Sequence, residues 1–200
     1  MDTIEIKKSN LEAAYKQADD NTKKLLATLF GDAVTSTDDR PVTERIKTFE
    51  DAMDELGYKH PLVVQYREIY DNFLDGAKAS NSSDIVAYLK LRVICAALNE
   101  GWEPKFIGDE RRYYPIFRLY SKVELNCMGD KEKQERCIID TTDYVTGYGC
   151  MGFGFMCSTN AFTYNTEGFC SRLCLRNNDL AIYCGKQFTE LWADLNLIKH

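Results

Sequence analysis

The stretch from residue 85 to residue 101, IVAYLKLRVICAALNEG, is apolar on nearly every side when it is drawn as a helix. Lys90 and Arg92 interrupt the apolar run, and the polar residues 81–84 before it suit a helix start. A helix of this kind has to be buried among other elements. The sequence therefore predicts a central helix whose two faces cover a helical half and a sheet.

The chain before this segment is also predicted to be helical. Apolar residues at helical spacing run from residue 11 to residue 29, with a stop at Gly31. Residues 48–51, TFED, resemble a capping box with Asp in place of Glu or Gln, and Gly57 suits the end of the helix that follows. Pro61 is placed to open another helix, since its missing N–H costs nothing at a first helical position.

After Gly101 the sequence becomes rich in aromatic and β-branched residues. Alternation predicts one or two strands over 112–125, where Pro115 indicates a sheet edge or a break. We expect a charged turn at 126–136, a strand and loop over 137–150, a last strand at 169–175, and a final helix after Asn177 or Asn178. The predicted fold is α+β, with a helical half at 1–101 and an α+β half at 102–200 that form one cooperative unit.

Composition excludes several classes of protein. The chain has 200 residues, 44% of them hydrophobic, and a net charge of −6. This acidic balance disfavours binding to nucleic acid or to anionic lipid. The longest uncharged stretch, 144–166, is interrupted by glycines and polar residues, so we expect no membrane helix. The polar N-terminus predicts a protein of a cytoplasm.

The eight cysteines are unevenly placed, and seven of them follow residue 126. Structural zinc needs two close pairs of ligands, and only Cys170 and Cys174 approach that spacing. If 170–175 is a strand, these two thiols are about 13 Å apart, too far for one ion. We therefore expect mainly free, buried thiols, with zinc and disulfides left as alternatives.

Residues for catalysis are scarce. His60 and His200 are the histidines of the chain, one before a proline and one at its last position, which makes a poor supply of general bases. None of the common phosphate, nucleophile or zinc-protease motifs occurs. The sequence favours a protein without enzymatic activity and predicts no cofactor or metal.

The stretch 144–169 is the best candidate for a binding region. It holds seven aromatic residues and several glycines, and it has no charge between Asp143 and Glu167. Such a stretch is either an internal β layer or an exposed recognition loop, in which aromatic rings supply contact area. We favour the exposed loop. The predicted binding residues are Tyr148, Phe153, Phe155, Phe162, Tyr164 and Arg172.

A partial resemblance to known folds also favours a binding role for this part of the chain. Residues 168–175, GFCSRLCL, resemble the closing strand of C-type-lectin-like and formylglycine-generating-enzyme-like folds, in which this region carries binding loops. More broadly, the segments EGWEP, RYYPIF and SRLCLRNNDLAIYCGKQFTELW are similar to those of uncharacterised proteins of gut Bacteroidetes and their phages. That resemblance implies a source, in a bacterial cytoplasm or a virion, and no mechanism.

Two hypotheses of function follow. The first is a non-enzymatic structural or protein-binding module of a phage or mobile element, which contacts another protein or a second copy of itself through 144–169. The alternative is a cytosolic enzyme or redox protein that uses a C-terminal thiol. Cys174 is the best placed for that role, because Arg172, Arg176 and the start of the last helix lie close in sequence.

Overall fold

The computed structural model describes residues 11, 14–15, 18–30, 40–71, 83–105, 110–147, 149–162 and 171–200. The fold is α+β, as the sequence predicts. The helices in the described ranges are α1 (Asp20–Phe30), α2 (Val42–Arg45), α3 (Phe49–Leu56), α4 (Pro61–Ile69), α5 (Ser83–Leu98), α6 (Lys122–Cys127), α7 (Asp130–Glu135), α8 (Asn178–Gln187) and α9 (Thr189–Asn196). The strands are β1 (Arg111–Ser121), β2 (Ile139–Asp140), β3 (Tyr144–Val145), β4 (Cys150–Phe162) and β5 (Ile198–Lys199).

The chain forms two compact units, Met1–Pro41 and Val42–His200. The described part of the first unit is mainly α1. The Asp19 carboxylate accepts a hydrogen bond of 2.8 Å from the Thr22 N–H, and hydrogen bonds with Thr22 lower the pKa of Asp19. On α1, Leu25 and Leu29 are largely exposed. The rest of the helical stripe that the sequence predicts from residue 11 lies partly outside the described residues.

The central helix of the second unit is α5, and Leu91, Ile94 and Leu98 on it are completely buried, as predicted. Its main contacts among the described residues are with α3, α4, α9 and the turn at Ser171–Leu173. The expectation that one of its faces covers the sheet is therefore wrong, since helices and this turn take that place. The boundary between the two compact units falls after Pro41. The division into halves at residue 101, and their unfolding as one cooperative unit, stay predictions.

The main sheet has three strands in the order β1-β4-β2. β1 pairs antiparallel with β4 along its length, from Arg111 opposite Phe162 to Ser121 opposite Cys150. β2 pairs antiparallel with β4 through two residues only. β1 is thus an edge strand, where Pro115 is tolerated. β3 and β5 form a separate two-stranded ribbon.

Two irregularities in the register of β4 change which way its side chains face. Met156 lies between the partners of Ile116 and Phe117, and Met151 lies between the partners of Tyr120 and Ser121. Each methionine is therefore the extra residue of a β-bulge. Both side chains are exposed, at 50% and 38%. The regular stretch 152–155 lies between the bulges.

The expected last strand at 169–175 is wrong in its described part. Ser171–Leu173 form a 3₁₀ turn, and Leu175 makes a single bridge to Tyr113. The backbone of this segment is bonded to two side chains, one on α5 and one just after it, and this explains why its described part forms no strand. The Cys95 thiol lies 3.6 Å from the Leu173 carbonyl, and the Asn99 amide donates to the Cys174 carbonyl at 2.9 Å. These carbonyls are therefore bonded to the central helix and its end, and not to a neighbouring strand.

The end of α5 is tied to the segment after this turn by charged groups. The backbone N–H of Arg176 donates to the Asn99 side chain at 3.0 Å, and the Arg176 guanidinium pairs with Glu100. Glu100 also accepts from Arg45 at 2.6 Å. The backbone of Glu100 is left-handed, with φ of 48°, so this pairing holds a residue in a conformation that few side chains adopt.

Two other sequence predictions are corrected. The charged turn at 126–136 contains α7 and the end of α6, and α7 carries ion pairs at helical spacing between Lys131 and Glu135 and between Glu132 and Arg136. The final helix is divided at Phe188. There Phe188 has the non-helical dihedral angles φ −117° and ψ 33°, and the Thr189 hydroxyl donates to the Gly185 carbonyl at 2.8 Å.

Buried tyrosines make the stability of the second unit sensitive to alkaline pH. Burial raises the pKa of Tyr66 and of Tyr183 to about 12, from an ordinary 10.0, and the Tyr183 hydroxyl donates to the Ile46 carbonyl at 2.6 Å. Between pH 10 and 12 the unfolded chain releases these protons while the folded chain keeps them, so the free energy of unfolding falls as the pH rises. Denaturant unfolding at pH 9 and pH 11 should show this loss, and Tyr66→Phe and Tyr183→Phe should each reduce it.

Candidate functional site

The outer edge of β1 is the feature from which we build the candidate site. In an antiparallel sheet, both backbone groups of a residue point to the same side of its strand. The Phe155 N–H of β4 donates to the Arg136 carbonyl at 2.8 Å, away from β1. Phe155 lies opposite Phe117. Because the Phe155 N–H points away from β1, the two residues form a non-hydrogen-bonded pair, and the N–H and C=O of Phe117 point away from β4.

The backbone groups of successive strand residues point to alternate sides of the strand, so every second residue of β1 shares the orientation of Phe117. These residues are Tyr113, Pro115, Leu119 and Ser121. Tyr113 exchanges hydrogen bonds of 3.0 and 2.9 Å with Leu175. Pro115 has no N–H to offer. The Ser121 N–H donates to the Glu124 carboxylate at 2.8 Å.

Two of these residues of the edge are left with both an outward N–H and an outward C=O. Phe117 and Leu119 each present an N–H and a C=O that pair with none of the residues the structure describes. The two positions are about 7 Å apart along the strand. Unpaired backbone groups on an edge strand are a template on which another strand can pair.

An open, groove-like cavity of about 410 Å³, with both apolar and polar groups in its wall, lies beside these two residues. Phe117 is at the centre of its aromatic wall. Its ring stacks on Phe153 with centroids 4.9 Å apart, lies 5.5 Å from Trp192 and meets Phe155 edge-on at 6.2 Å. The residues that line the cavity are Pro115, Ile116, Phe117, Arg118, Leu119, Phe153, Trp192, Asn196 and Leu197.

Trp192 brings an unsatisfied donor to this wall. Its side chain is 7% exposed, and its Nε1–H has no hydrogen-bond partner among the described residues. Asn196, one turn later on α9, donates its side-chain amide to the Trp192 carbonyl at 2.7 Å and does not reach the indole nitrogen. A buried donor without an acceptor costs about 1–3 kcal/mol. This indole N–H is itself buried, so Trp192 contributes mainly apolar ring surface to the wall.

The opposite face of β1 carries charge. Arg118, between the two outward-pointing residues, directs its side chain to this face, where its guanidinium lies 5.2 Å from the Tyr120 ring. Its Nη2 pairs with Glu124 at 2.5 Å. Hydrogen bonds from Ser121 lower the pKa of Glu124, which keeps that carboxylate ionised.

Two of the predicted binding residues are not exposed. Phe153 and Phe155 are 3% and 6% exposed, so the expectation that 144–169 is a surface loop is wrong at these positions. They belong to the regular stretch of β4 between its two bulges, where their rings face α8 and α9. Of the two, Phe153 lines the cavity.

The other predicted binding residues are placed as follows. Tyr148 and Tyr164 lie outside the described residues. Phe162 is the last residue of β4, opposite Arg111, and its side chain is not among the described ones. Arg172 is exposed in the 3₁₀ turn. The structure therefore does not bring the predicted set together at one described surface.

The residues that form the cavity were missed because they come from distant parts of the sequence. Phe117 and Leu119 are on β1, Phe153 is on β4, and Trp192 and Leu197 are near the chain end. One signal was available. The alternation of RYYPIFRLYS puts Phe117 and Leu119 on one face, and Pro115 marks that strand as an edge.

The thiol proposed for catalysis is not accessible. Cys174 is 2% exposed and packs with Tyr114 and Trp102, so it lacks the access to solution that a reactive thiol needs. Cys95 and Cys184 are buried as well. Within the described ranges, no group of three or more His, Cys, Asp or Glu residues is arranged to hold a metal ion.

Comparison with known proteins gives no identity. No protein family, curated protein or solved structure matches this chain. Across the parts of the chain that the structure covers, no helix has the length and apolar character needed to cross a membrane.

Proposed function

We propose that this chain is a protein-binding module that takes up an extended segment of a partner protein along the outer edge of β1. The observation that carries the proposal is the coincidence of two features at Phe117 and Leu119. Their backbone groups are unpaired on an edge strand, and they line the open, groove-like cavity, whose side chains are mostly aromatic or aliphatic. In strand addition, main-chain hydrogen bonds supply affinity and pockets for alternate side chains supply specificity.

The chain itself already uses this edge for main-chain pairing. Leu175 exchanges two hydrogen bonds with Tyr113, four residues before Phe117 on the same side of β1. The residues just before Leu175, Ser171–Leu173, form a 3₁₀ turn, so this pairing does not continue along β1. A partner segment would continue the kind of contact that Leu175 begins.

A second copy of β1 is a poor occupant of the edge. Antiparallel pairing of two copies that satisfies both residues would place Phe117 opposite Leu119 of the other copy, with Arg118 opposite itself. Like charges directly across a pair of strands are destabilising. This argument favours a partner of different sequence over self-association.

The proposal predicts that a short neutral peptide binds at the cavity. The chain has two tryptophans, so Trp102→Phe leaves Trp192 as the single reporter of the cavity wall. Titration of acetyl-Thr-Phe-Thr-Val-Thr-amide should change Trp192 emission in a saturable way, with a Kd of roughly 10 μM to 1 mM for so short a contact. The same peptide N-methylated at Phe and Val should not bind, because its two donors to the edge are blocked.

Neighbouring residues give a matched pair of controls. Leu197 lines the cavity, whereas Ile198 is 71% exposed and does not. Leu197→Ala should weaken binding about ten-fold, the value of one buried aliphatic side chain, and Ile198→Ala should leave it unchanged. Equal binding of the N-methylated peptide would contradict strand addition. A dimer seen by light scattering and abolished by Phe117→Ala would show that the occupant is a second copy.

Residence in a phage particle or in a bacterial cytoplasm stays a prediction from the sequence. The thiol-dependent alternative receives no support from Cys174 as it is placed. The proposed function depends on neither point.

A further inference from the structure

We infer that the segment bound at the edge of β1 alternates apolar, acidic and apolar residues. This inference rests on the proposed function and specifies the chemistry of the partner. It follows from the two faces of β1 beside the edge, which differ in polarity. Phe117 and Leu119 face the cavity, and Arg118 between them faces the charged side.

The register of the added strand follows from the unpaired groups. An antiparallel segment that bonds with both Phe117 and Leu119 places one of its residues opposite each of them. Side chains of directly opposite residues lie on the same face of the sheet. The first and third residues of the segment therefore face the cavity, and the second lies across from Arg118.

The cavity selects for apolar side chains at the first and third positions. Its volume of about 410 Å³ is within the range of ligand pockets, and most of its wall is aromatic or aliphatic. An aromatic ring at one position and a smaller aliphatic side chain at the other would fill it. A charged side chain there would lose its hydration without gaining a partner.

Arg118 selects for an acid at the second position. Its side chain is 52% exposed, and only Nη2 is bonded to Glu124, so Nε and Nη1 have no partner among the described residues. Glu124 is itself held by two hydrogen bonds of 2.8 Å from Ser121. A carboxylate directly across the strand pair would meet the remaining guanidinium donors, whereas a lysine would meet like charge.

Three peptides that differ at one residue test the inference. They are acetyl-Thr-Phe-X-Val-Thr-amide with X as Glu, Thr or Lys, titrated into the Trp102→Phe protein at low salt. We expect the Glu peptide to bind about three- to five-fold more tightly than the Thr peptide, and the Lys peptide to bind more weakly by a similar factor. Arg118→Gln should remove this order, Arg118→Glu should reverse it, and 0.5 M salt should reduce it.

A distant charge reversal is the control. Lys131 is 90% exposed on α7, and Lys131→Glu changes the net charge as Arg118→Glu does. This variant should keep the order of the three peptides. If all three bind equally to the protein, the acidic preference is wrong and the proposed function stands. If none binds, the proposed function fails, and the inference fails with it.

Discussion

Ile94→Asp should unfold the whole unit Val42–His200. The Ile94 side chain is completely buried on α5, which packs against helices on both sides. A carboxylate there would have neither water nor a cation, and a buried unpaired charge is among the few changes that cost more than about 4 kcal/mol. Far-UV circular dichroism and the dispersion of amide resonances should both show an unfolded chain at 25 °C.

A residue of the same helix provides the control. Ile85 is 47% exposed in the first turn of α5, where an acidic side chain interacts favourably with the helix dipole. Ile85→Asp should therefore remain folded. If Ile94→Asp unfolded the helices before residue 101 while β1 and β4 kept slow amide exchange, the prediction of one cooperative unit would fail.

Gly154→Val should destabilise the protein by about 3 kcal/mol, at the upper end of the usual cost of overpacking. A Cβ at position 154 would lie 2.9 Å from the Arg136 carbonyl oxygen and against the Ile138 side chain. The Arg136 carbonyl accepts from Phe155, so it cannot move away without losing that bond. Urea unfolding should show a lower midpoint with an unchanged slope.

Gly147 offers a matched comparison, because a Cβ at that position meets nothing within 4 Å and the backbone is not left-handed. Gly147→Val should therefore change the midpoint little. Equal losses at Gly147 and Gly154 would mean that general strand or loop effects, and not the close approach of Arg136 and Ile138, determine the cost.

Local signals in the sequence predicted several elements correctly. Thr48 and Asp51 form the expected capping box, in which each side chain accepts from the backbone of the other, and Gly57 ends the helix with φ of 79°. Pro61 occupies the first turn of α4. These features depend on residues a few positions apart, so the sequence contains all the information that they need.

The sequence prediction failed on β4 because its signal is divided by the bulges. The stretch Gly152-Phe-Gly-Phe155 alternates with period two, as a strand should, but Met151 and Met156 shift the alternation at each end. In the structure, Gly152 and Gly154 belong to this strand and allow Leu125 and Ile138 to approach the sheet closely.

The candidate site could not be predicted because its key property is the lack of a neighbour. That Phe117 and Leu119 have outward groups follows from the pairing of Phe155 with Arg136, which joins residues far apart in the chain. The sequence indicates that β1 is an edge strand. It does not indicate where the edge is already occupied.

The brevity of the open edge has a kinetic consequence. Leu175 pairs with Tyr113 at one end of the edge, and the Ser121 N–H is bonded to Glu124 at the other. Phe117 and Leu119 are the described residues left with both backbone groups for a partner segment. A contact this short dissociates quickly, so a lasting complex would need a second point of attachment on the same partner, or several copies of the segment in one chain. Linked weak contacts of this kind gain strength through effective concentration. This surface therefore suits a multivalent partner, whose linked contacts hold it by avidity while each single contact is released quickly.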